Sequence, residues 1–302
     1  MLNDTNVLII ALIGGILPAL FWLWFWIRED KEKPEPKKLL FGAFVGGSIA
    51  VLIALFFELM VYYLLVNANM SVGNRHPTLF WITLKNLVTY YHLADWQDIF
   101  WLNTENYFYS LTWVSKYNLD IHKFFLTVIA APIIEETMKL IFAFNLALRK
   151  KANDEPIDAS IYLLTTALGF AAVETALFLT SPIANGEILN TLIATNFRSI
   201  GPMLIHLVSS AILGIIIGFA FYKNRLTRFA SYLGGLILAI ILHSIFNFFI
   251  VLNESSKNVS FFWLAAIETW LLVFILLVLF HKVKQIKSNK QKRLEKNSYR
   301  MV

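Results

Sequence analysis

Glu135, Glu136 and Lys139 stand within a single turn and a half of one apolar run, Phe124 to Leu148, that is long enough to cross a bilayer. An ionisable residue at hydrocarbon depth costs about 2.5–3.5 kcal/mol even on lenient insertion scales. Three together require partners, and those partners must come from other elements. Glu135 and Lys139 are spaced i,i+4, and Glu136 and Lys139 i,i+3, so the lysine can neutralise one carboxylate on its own helix. The second carboxylate then lies about 100° around and remains available to a neighbouring helix. Pro132, one turn earlier, removes a backbone hydrogen bond and is expected to kink or open the helix beside the carboxylates.

Further polar groups recur in the later apolar segments. Phe170, Glu174 and Phe178 share one helical stripe, His206 precedes Ser210 by one turn, and His243 precedes Asn247 by one turn. A desolvated carboxylate at such depth can act as a general base on water. Lys139 would hold the second carboxylate ionised, while His206, His243 and Asn247 would hold the water or supply donors to a developing oxyanion. That set hydrolyses an acyl bond, most readily a peptide bond of a membrane-associated substrate. Spacing alone does not distinguish Glu135 from Glu136 as the base. No cofactor is required by this reading. Glu174, His206 and His243 would also suit zinc with one open position, although no HExxH is present.

The elements that position these groups follow from composition. The 302 residues are 58% hydrophobic and only 15% charged, against roughly 25% charged in a soluble domain. The expectation is an all-α, polytopic transmembrane bundle in the cell membrane. Seven segments approach or exceed the ~20 residues needed to span: Val7–Ile27, Leu39–Val66, Phe124–Leu148, Ala159–Thr180, Pro202–Tyr222, Ser231–Leu252 and Phe261–Phe280. Cysteine is absent, which excludes disulfides and thiolate metal sites. The first apolar run has no basic n-region or small-residue cleavage signal and reads as a retained span.

Charge sets the expected orientation. The segments Arg28–Lys38, Arg149–Asp158 and Lys223–Arg228 and the tail from Lys282 carry 19 basic residues, against 6 in the longer connections of the opposite side. The positive-inside rule then places the N-terminus outside and the C-terminus in the cytoplasm. The net charge of +6 is concentrated in these short segments, which points to topology and anionic lipid rather than nucleic acid. A single membrane domain over residues 1–281 is expected, followed by a basic cytoplasmic tail, 282–302. Residues 67–122 hold twelve aromatics and read as an outer, interfacial insertion with an amphipathic helix at Leu79–Leu93. Counting inward from the outer helix ends at ~1.5 Å per residue puts His206 and Asn247 at ~7 Å, His243 and Glu174 at ~10–13 Å, and Glu135 near ~18 Å. One cavity open to the outer side is therefore expected. Glu58 and Glu268, near outer helix ends, read as interfacial.

With these residues in view the chain resembles the PrsW family of intramembrane proteases, distantly related to the CAAX-prenyl and bacteriocin-processing proteases. Asp30–Pro36, DKEKPEP, looks like that family's charged E-P-E-P turn. Glu135-Glu136-x-x-Lys139 matches its EExxK motif, Phe170-x-x-x-Glu174 its FxxxE motif, and His206 and His243 the histidines of its last two motif helices. Two positions depart: Asn247 stands where aspartate is usual, and Phe178 where tyrosine is common. The resemblance implies cleavage of membrane-anchored proteins, such as anti-sigma-factor-like regulators, on their outer side. Two rival readings share these residues. A proton- or cation-coupled transporter would need a polar path continuing inward, and the inner halves of the fifth and sixth segments are almost wholly apolar. A non-catalytic scaffold would keep every contact yet lose nothing when the base is removed.

Overall fold

The computed structural model describes residues 4–28, 33–68 and 121–286, with side chains described over 4–28, 33–63 and 123–286. Almost all of the aromatic 67–122 segment, including its Leu79–Leu93 helix, and the basic tail beyond residue 286 lie outside the described residues.

Lipid offers backbone groups no hydrogen bonds, so spans of this composition close their bonds within helices. The described residues are accordingly helical and contain no strand. They form α1 (Asp4–Arg28), α2 (Lys37–Ala68), α3, α4 (Asp158–Ala184), α5 (Ile188–Ile200), α6 (Pro202–Phe219), α7 (Arg225–Ser256) and α8 (Ser260–Lys284). Helix α3 is composite: α-helix Ile121–Phe124, π-helix Phe125–Ala130, α-helix Ala131–Ala143 and π-helix Phe144–Leu148. Six helical segments are long and apolar enough to cross a membrane, with α5 and α6 read as one run; α3 crosses the bundle beside them.

Helix α4 is the axis. Every residue from Asp158 to Ala172 is buried, and α1, α2 and α6 pack around it. Helix α3 lies against α2 and α7, and α8 closes the bundle over α6 and α7. Lipid-facing positions on the outer helices carry large apolar side chains, among them Leu17, Phe41 and Phe274. A helix buried all round must be apolar or small all round, and α4 meets its neighbours through small residues. A Cβ on Gly47 of α2 would stand 1.8 Å from the Thr166 carbonyl oxygen, and one on Gly169 of α4 would stand 1.9 Å from that of Phe44. Backbones of α1 and α4 approach as closely at Gly15.

The structure departs from the expected elements in two places. The connection between the fourth and fifth expected spans is ordered as α5, an amphipathic helix with no buried residue, set off from α6 by Gly201 and Pro202. Pro132 does not break α3. The helix widens into the π stretch immediately before it and resumes α geometry at Ala131.

At the other end of the bundle, the prolines of the 33–36 turn keep it out of helix, as expected. Tyr162 donates to the buried Glu35 carboxylate, which pins the turn to α4. Lys33 pairs with Asp154 and, at 3.5 Å, with Glu155, and its bond to Asp154 raises the ammonium pKa above its ordinary value. Both Lys33 and Asp154 are more than half exposed, so this pair adds little stability.

Gly47→Ala is expected to force α2 from α4 and destabilise the protein by about 1–3 kcal/mol. Gly42→Ala, whose added Cβ meets nothing within 4 Å, serves as the neutral control. Thermal unfolding of both variants in detergent checks this.

Candidate active site

The α segment of α3 turns Glu135, Glu136 and Lys139 inward, and all three are buried. Lys139 is fully buried, and its Nζ lies 2.7 Å from Glu136 Oε1, 2.7 Å from His206 Nδ1 and 3.8 Å from Glu135 Oε2. The ammonium also sits 4.6 Å over the Phe170 ring, where a cation is favoured. Lysine has donors only, so His206 Nδ1 is the acceptor, and its Nε2–H donates to Glu174 Oε2 at 2.7 Å. This chain of contacts fixes the His206 tautomer.

Glu136 is hydrogen-bonded at both oxygens. Besides Lys139, its Oε1 accepts from His243 Nδ1 at 3.0 Å and from Ser209 Oγ at 3.1 Å, and its Oε2 accepts from Ser210 Oγ at 2.9 Å. The Ser209 hydroxyl has one proton and shares it with the His206 carbonyl, also at 3.1 Å. Glu135 differs although it is the next residue. Its Oε2 is buried with no hydrogen-bond partner, yet it faces His206 Nδ1 at 3.6 Å and His243 Nδ1 at 3.8 Å. The two imidazoles meet edge to face, 4.7 Å between centroids.

Glu174 marks the less enclosed side, with its side chain 21% exposed. Besides His206 it pairs with Arg198 of α5 at 3.0 Å, and the guanidinium stacks 3.8 Å over Phe178. Arg198 thus reaches from the amphipathic helix to the site through the aromatic ring at the expected tyrosine position. By sequence it is only one of the connecting cations.

Six of the seven expected residues therefore converge: Glu135, Glu136, Lys139, Glu174, His206 and His243. Asn247 lies one turn from His243, but its amide donates to the Thr127 carbonyl of α3 at 2.9 Å rather than into the cluster. Ser209 and Arg198 join the site without a signal in the sequence. Ser209 is one of many apolar-segment serines, and only the approach of α6 to α3 reveals its partner. Glu58 continues the α2 stripe of Val51 and Ala54, which packs on Phe170, Ile134 and Met138, and is itself half-buried. Glu268 stays apart, with both carboxylate oxygens buried and unbonded among the described residues.

The metal set differs from the expected Glu174, His206 and His243. The residues whose ligand atoms gather within 4.8 Å of one another are Glu135, His206 and His243. One carboxylate and two imidazoles are a donor set that zinc accepts, and the orphaned Glu135 oxygen is an acceptor that a cation would satisfy. Glu136, bonded to His243, would then orient that ligand from behind. The residues present fit a metal, with His206 Nδ1 exchanging its Lys139 contact for the ion.

The bundle is an all-helical membrane protein with carboxylates, a lysine and two histidines buried together at its centre. A family model described as PrsW family intramembrane metalloprotease matches residues 99–280, and the chain belongs to that family. It is 31% identical over 129 residues to Protease PrsW of Geobacillus kaustophilus (strain HTA426), a match covering 42% of this chain and 52% of the relative. The chain thus spans about half the length of that relative. No solved structure matches.

Removing Lys139 leaves the Glu136 charge buried without its counter-ion. Lys139→Met is expected to cost about 3–5 kcal/mol of stability. Adding Glu136→Gln should recover much of that loss. Denaturant unfolding of the single and double variants in one detergent measures both.

Proposed function

We propose that this protein is an intramembrane endopeptidase that cleaves membrane-anchored proteins near the outer leaflet, with Glu135 as the reactive carboxylate. The observation that carries this reading is the contrast between adjacent residues. Both oxygens of Glu136 are engaged, by Lys139, Ser209, Ser210 and His243, whereas Glu135 keeps a buried oxygen unbonded, 3.6 and 3.8 Å from the two imidazoles. A carboxylate held by several donors is a poor proton acceptor, because each donor stabilises its charged form. An unbonded one beside two histidines can take a proton from water.

The roles follow from the contacts. Glu136 and Lys139 form the neutral frame that fixes His243 and His206. Glu174 holds His206 from its Nε2 side and is itself held by Arg198. His243, its Nδ1–H held by Glu136, keeps Nε2 as an acceptor that can orient the water, while the Lys139 ammonium, 3.8 Å from Glu135, offsets negative charge as the carbonyl becomes tetrahedral. The family's description as a metalloprotease adds a second form of the site built on the same residues. A zinc ion bound by Glu135, His206 and His243 would supply Lewis-acid polarisation of the scissile carbonyl. Glu174, the more exposed carboxylate, would then serve as the proton acceptor. Family membership and the one-sided exposure of Glu174 support a protein substrate approaching from the membrane rather than a through-going ion path.

The test compares wild type, Glu135→Gln and Glu136→Gln in a strain lacking the protein, by mass spectrometry of new peptide termini beside membrane spans. Glu135→Gln should reduce cleavage by about 10²–10⁴-fold, the usual contribution of a general base, with unchanged thermal stability. Glu136→Gln should lower stability as well. Identical termini in wild type and a folded Glu135→Gln protein would refute the protease reading. Chelation of purified membranes separates the two forms of the site: loss restored by zinc identifies Glu135 as a ligand, and full resistance identifies it as an unaided base.

A further inference from the structure

Helix α3 reaches its carboxylates through a widened turn. The stretch Phe125–Ala130 is π-helical, and the Ala131 N–H that follows it bonds five residues back, to the Leu126 carbonyl. The next bond in that register would run from residue 132 to the Thr127 carbonyl. Residue 132 is proline and has no N–H to give. A backbone carbonyl deprived of its donor at hydrocarbon depth is costly and finds a side-chain partner where one can reach. Asn247 Nδ2 supplies it, donating to the Thr127 oxygen at 2.9 Å.

We propose that Asn247 is a positioning residue: by serving the Thr127 carbonyl that Pro132 leaves without its partner, it holds α3 in the register that sets Glu135 and Glu136 against the histidines. The geometry on both helices supports this. His243 and Asn247 lie one turn apart on one face of α7, and they grip α3 at two levels, His243 at Glu136 and Asn247 at Thr127. Each extra residue in a π turn rotates the remainder of the helix by about 100° relative to an uninterrupted α-helix. The direction in which Glu135 and Glu136 point therefore depends on keeping that turn open. This assignment replaces the oxyanion role that position 247 suggested in the sequence, since the amide donates into the backbone of α3.

Double substitution separates the alternatives. Asn247→Leu removes the donor, and Pro132→Ala restores an N–H that can reach back along the helix. In the full-length protein in detergent, Asn247→Leu is expected to lower the Tm by about 3 °C or more. The same change in the Pro132→Ala background should lower it by less than half as much. Asn247→Gln, which keeps an amide, should stay closer to wild type than Asn247→Leu. This arm needs no activity, so it stands whether or not the protease reading does; the kinetic arm rests on that reading.

For the membrane substrate recovered by terminus mapping, Asn247→Leu should lower kcat about 10-fold or more with KM unchanged, and Pro132→Ala should suppress part of that loss. Equal Tm losses in both backgrounds, or none in either, would overturn the proposal. So would a kcat deficit that Pro132→Ala leaves untouched, the result expected of an oxyanion donor. If Pro132→Ala does not fold, the comparison of Asn247→Gln with Asn247→Leu decides: equal Tm losses overturn it, and a smaller loss for Gln sustains it.

Discussion

The buried ammonium of Lys139 is the contact around which the centre of this bundle is arranged. Two carboxylates and the His206 imidazole surround it, and the buried carboxylates depend on the charge it brings. Lysine offers three donors and no acceptor, which forces His206 to accept at Nδ1 and so to donate at Nε2 to Glu174. One cation thus determines a tautomer on another helix and, through it, the placement of a third carboxylate. From Glu174 the chain of charge runs on to Arg198 and ends at the amphipathic helix α5.

Such a network needs a rigid surround, because a low dielectric makes every unmade bond expensive. The bundle provides this by burying α4 on all sides. Glycines at the α1–α4 and α2–α4 crossings bring backbones into contact, and Gly214 does the same where α6 meets the start of α4. The hydrophobic effect does not drive helices together within lipid, so close backbone packing and interhelical polar bonds carry the association. Ser209 and Ser210 illustrate both: small enough to let α6 approach, they also donate to Glu136 across the gap.

The neighbouring glutamates show how much a rotation of about 100° can matter. Glu136 points to where α6 and α7 supply hydroxyl and imidazole donors, while Glu135 points toward the two imidazoles without a bond to either. Identical chemistry in adjacent residues becomes a multiply bonded frame and an unsatisfied acceptor. The π stretch before Pro132 contributes to that aim, since it changes the angular register of every residue after it.

Much of this could be read in the chain. Apolar runs of span length dictate helices, because lipid leaves the backbone no alternative, and intramembrane Glu, Lys and His announce a site, because their desolvation is too costly to be incidental. The spacing of Lys139 from both glutamates is enough to foresee its pairing. Other features depend on three-dimensional approach. Ser209 carries no local signal, since a serine reveals its role only when another helix presents a partner. Arg198 reads as a connecting cation until α5 folds back over Phe178. Asn247 reads as a member of the cluster by its spacing from His243, yet a carbonyl freed by a proline on a different helix takes its amide. Residue types and period determined that a polar site exists and which helices bear it; only packing decided which oxygen is left unpaired, because hydrogen-bond saturation is a property of neighbours and not of sequence.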